Sequence, residues 1–210
     1  GDIDVQNNYS NAQVTTDAAT AAGGFAGTLA MADGATLKNN YGAGSINIVS
    51  SDPNLNPAEL YGIIPDTASL MGGFTAATVG IETADYTMSK NFTYTSLSSQ
   101  SPENAQGGFL ALMIPTAPAV FDNYYDADLA GSTDCALAFS PGQPSCTGIS
   151  GQPDYFKNNS TNPPLNSWDF DSIWMTTSEL PVFGTKVTTG ITTISEERLN
   201  QPKTTPKPPT

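Results

Sequence analysis

The chain of 210 residues is long enough to bury a hydrophobic core, although only 13% of its residues are charged. Its net charge of −13 includes only seven basic residues, which argues against nucleic acids and anionic membrane surfaces as partners. No apolar run reaches the roughly 20 residues of a membrane-spanning helix, and no histidine is present for a Ser-His-Asp or Cys-His nucleophile. Because no signal-peptide pattern opens the chain, we expect Gly1 to be the first residue of a processed or excised product.

Short segments with period-two alternation follow one another along the chain, separated by Gly, Asn, Asp, Ser or Pro. They fall into three successive groups, at 12–15 and 24–29, at 45–49 and 73–76, and at 91–95 and 108–112. Such segments predict short β-strands joined by tight corners. Helical periodicity is nearly absent, and the one short candidate helix covers residues 195–199.

A repeated phrase organises these strands. Gly-Gly-Phe occurs three times, ending at Phe25, Phe74 and Phe109. The accompanying Asn-aromatic pairs are Asn8-Tyr9, Asn40-Tyr41, Asn91-Phe92 and Asn123-Tyr124, at intervals of 32, 51 and 32 residues. Such periodicity is typical of stacked repeats, in which each unit buries its apolar face against the next. We therefore predict an all-β fold, a β-helix-like solenoid built from degenerate repeats.

Each part of the repeat has an expected physical role. Glycine pairs suit corners that need a positive φ, or places where stacked backbones leave no room for a side chain. We expect the phenylalanines that follow them to stack in one buried column. The asparagines should hydrogen-bond backbone groups at the opposite corner. The predicted repeat core consists of Phe25, Phe74, Phe109, Tyr9, Tyr41, Phe92 and Tyr124.

The first repeat resembles the GLUG motif of large bacterial surface proteins, including adhesins. Residues 7–14 and 23–27 match its pattern of Asn-x-Tyr, then Val, then Gly-Gly-apolar-x-Gly, whereas the second and third copies lack the last glycine. Residues 123–126 resemble the family's Asn-x-Tyr-Trp-Asp with Tyr125 in place of tryptophan, and residues 168–174 and 181–183 resemble its closing strands. The resemblance implies a β-helix-like solenoid and defines no ligand.

We predict two regions from this pattern. The solenoid domain covers residues 1–183 and includes a disulfide loop at 131–151. A C-terminal strand and a tail rich in Pro, Lys and Thr follow at 184–210.

Cys135 and Cys146 lie in a stretch rich in Gly, Pro and Ser. Two cysteines so close in sequence favour a local disulfide and an oxidising compartment. Two free thiols or a redox pair are the alternatives. A tetrahedral metal site would need further ligands, and the chain has neither a third cysteine nor a histidine.

Carboxylates are the remaining candidates for chemistry. They form two groups, one of Asp122, Asp126, Asp128 and Asp134 and one of Asp169 and Asp171. A polysaccharide hydrolase or lyase on a β-helix can use such acids. Residues 126–131 also begin like an EF-hand loop, but Leu137 stands where that loop needs its bidentate glutamate, so only an irregular calcium site is open to the first group. Solvated turn carboxylates are the favoured interpretation, and we expect no catalytic residue.

Aromatic side chains are candidates for stacking on sugars. The relevant residues are Tyr124, Tyr125, Trp168 and Trp174. For both tryptophans, packing in the core is the favoured interpretation, because their sequence context alternates with apolar residues.

The composition changes after Phe183. Residues 186–194 predict a β-branched strand, and residues 202–210 are a polyproline-type stretch. Because an open solenoid exposes unpaired strand edges at its ends, we expect residues after Phe183 to dock on a neighbouring copy and build a homopolymer. The rival arrangement is a tail folded back on its own solenoid, with both ends continuing into a longer adhesin.

These observations favour a non-enzymatic, extracellular or cell-surface structural protein without a required cofactor. It would self-assemble into a filament or array, or form part of a large adhesin, with surface glycans as a further partner. The alternative is a carbohydrate-binding or polysaccharide-degrading β-helix module, whose aspartates should converge in a groove.

Overall fold

The computed structural model describes residues 3–16, 21–49, 69–80, 86–100, 105–114, 119–139 and 145–184. This part of the chain is mostly β-strand with almost no helix, which confirms the predicted all-β fold. The expectations for the helix at 195–199 and for the tail at 185–210 lie outside the described residues.

Four parallel sheets, here called A to D, contain the repeat strands. Sheet A has the order β1 (Asp4–Gln6), β5 (Thr36–Lys38), β9 (Thr87–Ser89) and β13 (Ala119–Phe121). Sheet B has the order β2 (Tyr9–Thr16), β6 (Tyr41–Ile48), β10 (Phe92–Ser99), β14 (Asn123–Asp126) and β16 (Cys146–Ile149).

The other two parallel sheets follow the same order. Sheet C contains β3 (Ala21–Gly23), β7 (Leu70–Gly72) and β11 (Ala105–Gly107). Sheet D contains β4 (Ala26–Met31), β8 (Thr75–Gly80), β12 (Leu110–Ile114) and β15 (Ala136–Phe139). Each of the first three repeat units therefore contributes one strand to every sheet.

Equivalent positions of the repeats pair directly. In sheet B, Tyr9 is opposite Tyr41, which is opposite Phe92, which is opposite Tyr124. In sheet C, the first glycine of each pair aligns in the same way. The sequence period and the pairing register therefore coincide, and the longer second interval leaves the register unchanged.

The corners before the asparagines have a left-handed backbone. At each corner the residue with positive φ precedes the repeat asparagine: Asn7 (56°), Asn39 (55°), Lys90 (57°) and Asp122 (53°). The glycine pairs do not have positive φ, so this part of their predicted role is wrong.

Close backbone approach explains the glycine pairs instead. A Cβ on Gly73 would lie 2.1 Å from the carbonyl oxygen of Gly108, and one on Gly24 would lie 2.3 Å from the carbonyl oxygen of Gly73. A Cβ on Gly108 would lie 2.2 Å from the ring of Tyr125. Because these distances are far below van der Waals contact, only glycine allows successive units to approach so closely.

The inner core contains the predicted phenylalanine column. Ring centroids are 4.7 Å apart for Phe25 and Phe74 and 4.9 Å apart for Phe74 and Phe109, and the ring planes are nearly parallel. Phe74 and Phe109 are fully buried, whereas Phe25 at the end of the column is half-buried. The prediction of one stacked column is confirmed.

The aromatics of the Asn-aromatic pairs lie elsewhere. The sequence predicts them in the same repeat core, whereas Tyr41 and Phe92 belong to a second cluster on the outer face of sheet B. Tyr124 packs against that cluster, and Tyr9 is 41% exposed. The physical reason is strand alternation: Ile46 and Ile48 of the same strand as Tyr41 face the inner core.

Residues 150–184, here called the cover segment, pack on this outer cluster. The segment includes a 3₁₀ turn (Leu165–Ser167) and an antiparallel pair, β17 (Trp174–Met175) and β18 (Val182–Phe183). Trp168 donates a hydrogen bond to the carbonyl oxygen of Lys90 (3.0 Å), and Trp174 donates one to Asn7 Oδ1 (3.3 Å). Both tryptophans are buried, which confirms their expected packing role.

Candidate functional site

The four repeat asparagines form a continuous side-chain ladder. Asn8 Nδ2 donates to Asn40 Oδ1 (3.2 Å), Asn40 Nδ2 donates to Asn91 Oδ1 (3.1 Å), and Asn91 Nδ2 donates to Asn123 Oδ1 (3.0 Å). The backbone N–H of each donor asparagine reaches the same oxygen, at 2.9, 3.0 and 3.1 Å. Every bond has the same direction along the stack.

The ladder also satisfies backbone carbonyls, as the sequence predicts. Asn40 donates to Val5 O (2.9 Å), Asn91 to Leu37 O (3.0 Å) and Asn123 to Met88 O (2.9 Å). These three asparagines are fully buried. The amide-to-amide bonds were not foreseen, since a sequence period shows equivalence without showing which groups meet.

The end of the stack formed by the first unit is open. β1, β2, β3 and β4 are each the last strand of their sheet, so four strand edges lie at the same end. Asn8 Oδ1 accepts no hydrogen bond from the described residues, although the equivalent oxygen in every other unit accepts two. Ile3 is 52% exposed at this end. The open edge therefore has unused backbone and side-chain hydrogen-bonding groups.

The opposite end carries a short helix, although β11, β13, β15 and β16 are likewise the last strands of their sheets there. Helix α1 (Ala127–Ala130) lies between β14 and β15, and its alanines pack against the inner core. Asp126 caps the helix by accepting from Leu129 N (2.8 Å). Burial raises the pKa of the Asp126 carboxyl despite this bond. The helix follows β14, in the part of the chain at this end, so the two ends of the stack differ.

The predicted calcium candidates have other partners. Asp128 accepts from Ser150 Oγ and Gly151 N, both at 2.6 Å, and these bonds lower the pKa of its carboxyl. Asp122 is the left-handed corner residue, and Asp134 lies in an exposed turn. Within the described ranges, no three acidic or cysteine side chains are arranged to hold a metal ion, so the structure does not assemble this site.

The second acidic group is also in a turn. Asp169 Oδ1 accepts from the backbone N–H of Asp171 (3.0 Å) and of Ser172 (2.8 Å). This arrangement fits the expected turn role, because aspartate commonly accepts backbone N–H groups two or three residues later.

Cys135 and Cys146 form a disulfide in the structure, with Cα atoms 5.4 Å apart, which agrees with the prediction. The bond connects the strand region around β15 to β16 of sheet B. Both cysteines pack against the same inner core as the alanines of α1, so the bond fastens this end of the stack.

Reducing this bond should lower the free energy of unfolding by about 2–3 kcal/mol, since it closes a short loop in the unfolded chain. Alkylation of the unreduced protein followed by mass spectrometry should show no labelled cysteine. Labelling of both cysteines without a reductant would contradict the bond.

A groove of about 490 Å³ lies between the outer face of sheet B and the cover segment. Ala43 and Gly44 leave space on the strand side, where Tyr9, Asn11 and Tyr94 also line the groove. The other side consists of Thr177, Glu179, Leu180 and Val182 of the cover segment, with Leu129 of α1 at one end.

Tyr41 fixes the wall of this groove. Its hydroxyl donates to the carbonyl oxygen of Pro181 at 2.6 Å, and burial together with neighbouring Tyr9 raises the pKa of that hydroxyl. Lys157 pairs with Glu179 (3.4 Å) and lies over the ring of Tyr94, 5.2 Å from its centroid. The wall is therefore attached to the sheet at two places.

The aromatics proposed from sequence as sugar-stacking residues do not line this groove. Tyr125 is buried and donates to Thr133 O (2.7 Å), and both tryptophans are buried in the second cluster. Sequence analysis missed Asn11, Tyr94 and Glu179, because none belongs to a repeated phrase and the cover segment approaches the sheet only in the folded chain.

No known protein family, curated protein or solved structure matches this chain. Among the described residues, no helix is both long enough and apolar enough to cross a membrane.

Proposed function

We propose that this chain is a structural β-solenoid of a cell surface, resembling GLUG-repeat proteins, and that it assembles through its open first-unit edge. One observation supports the proposal: the edges of strands β1 to β4 and the end of the asparagine ladder at Asn8 lie at the same end of the in-register stack. Such edges pair readily with another chain. The disulfide is compatible with an extracellular location.

A structural role is favoured over an enzymatic one. Among the predicted candidate carboxylates, Asp126 caps a helix, Asp128 accepts from residues 150 and 151, and Asp169 holds a turn. Stacked rings, buried amides and close glycines all serve the contact between units. We therefore propose no catalytic residue.

The proposed partner of the open edge is residues 184–210 of a second copy. Their β-branched segment at 186–194 has the composition of a strand that can add to an exposed edge. The contact would join different surfaces of the two copies, and it therefore extends into a filament or array unless the rotation closes a ring.

The pairing register identifies the groups that such a strand would meet. Asn8 O and Thr16 O accept from Tyr41 N and Val49 N, so even-numbered residues of β2 face β6. Since backbone direction alternates in a parallel strand, the N–H of Gln13 faces the open edge. Gln13 is exposed, and its replacement leaves the bonds to β6 in place.

We expect Gln13→Pro to abolish assembly, because proline removes an N–H that the added strand would use. Gln13→Ala is the matched control and should assemble like the unmodified chain. Truncation after Gly184 should give a folded monomer. Light scattering and negative-stain microscopy measure these states.

Two results would contradict this proposal. If the unmodified chain stays monomeric at high concentration, self-assembly is wrong. If the chain truncated after Gly184 still forms filaments, the tail is not the partner that binds the open edge. The open edge itself could then still pair with another part of a second copy.

A further inference from the structure

The groove beside the cover segment combines three kinds of group in one space. Tyr9 and Tyr94 offer aromatic surface, Asn11 offers an amide, and Glu179 offers a carboxylate. The Asn11 side chain is exposed and makes no hydrogen bond to any described residue. Its donor and acceptor are therefore available to a ligand.

The size and shape of the groove suit a small ligand. Its volume of about 490 Å³ lies within the range of about 300–1,000 Å³ that is usual for small-molecule sites. Ala43 has only a methyl group and Gly44 has no side chain to fill it, and the Tyr41–Pro181 bond holds the facing wall in position. The space is thus built by the fold.

The lining chemistry selects the class of ligand. A pyranose ring has apolar C–H faces that pack on aromatic rings, and hydroxyls that both donate and accept hydrogen bonds. Tyrosine rings supply the first kind of contact, and amide and carboxylate groups supply the second.

The charge of the groove and of the chain further restricts the class of ligand. Among the described residues no basic side chain lines the groove, and the ammonium of Lys157 pairs with Glu179. The chain as a whole has a net charge of −13. Sulfated, phosphorylated or uronic-acid sugars would meet repulsion here.

We propose that this groove binds a short neutral oligosaccharide, a di- or trisaccharide segment, with Tyr9 and Tyr94 packing on its rings and Asn11 and Glu179 bonding its hydroxyls. The groove uses the outward side chains of Tyr9 and Asn11 on β2, whereas assembly would use the backbone edge of the same strand, and binding requires no assembly.

Cellotriose, maltotriose and chitotriose are suitable probes, because they are neutral and differ in linkage and substituents. Saturation-transfer NMR should detect at least one of them on the intact chain, and titration calorimetry should give its affinity. Asn11→Ala and Glu179→Gln should each weaken binding about 3- to 10-fold, as expected for a lost hydrogen bond, and the double variant should weaken it further.

Phe121→Ala is the matched control, since Phe121 is 42% exposed but lies outside the groove. It should bind the probe with unchanged affinity, and all variants should keep the unfolding midpoint of the parent. The proposal is wrong if none of the three trisaccharides gives saturation transfer, or if the double variant binds with the affinity of the parent.

Discussion

Phe74→Ala should lower the free energy of unfolding by about 3–5 kcal/mol, as for other buried aromatic residues truncated to alanine. Phe74 lies between Phe25 and Phe109, with ring centroids 4.7 and 4.9 Å away, and is fully buried. The units above and below are held at a fixed separation by strand pairing. They cannot collapse into the space, so the cavity should persist.

Phe25→Ala tests whether position in the column decides the effect. Phe25 is half-buried and, among the described residues, stacks on one ring, so we expect a clearly smaller loss. Guanidinium unfolding of both variants gives the comparison. If both variants lose the same free energy of unfolding, position within the phenylalanine column does not decide the effect.

Asn91→Ala should destabilise the protein by about 2–4 kcal/mol, because it leaves one buried donor without its acceptor and removes a second buried hydrogen bond. The donor is the backbone N–H of Asn40, which donates to Asn91 Oδ1 (3.0 Å), and the second bond runs from Asn91 Nδ2 to the carbonyl oxygen of Leu37 (3.0 Å). Water cannot replace the lost amide without opening the stack.

Asn8→Ala is the control for this ladder variant. Asn8 is exposed and its oxygen accepts from no described residue, so its removal should cost only about 0.5–1.5 kcal/mol. Urea denaturation of the two variants should separate them. A loss at Asn91 no larger than that at Asn8 would refute a structural role for the buried ladder.

Much of the stacking could be predicted from sequence, because residues at the same position of successive repeats stack on one another. The spacing of Phe25, Phe74 and Phe109 was sufficient to predict their column. The close approach at Gly73 could be predicted for the same reason, since glycine is the one residue without a Cβ.

Other features depend on contacts between distant segments. The left-handed corners include Lys90 and Asp122, and lysine gives no local signal for that conformation. Period-two alternation places Tyr41 and Phe92 on the same face of their strands, but it does not show that residues 150–184 cover that face. The groove was missed for the same reason, because Glu179 and Asn11 line one space only through the packing of that segment.

The uniform direction of the asparagine bonds has a consequence for symmetry. Each amide points the same way, so the side-chain dipoles add head to tail along the axis, with an oxygen uncovered at Asn8. Two copies meeting face to face at this end would bring two partial negative charges together. A two-fold dimer through this face is therefore disfavoured, and any assembly built on it should be polar, with ends that grow at different rates.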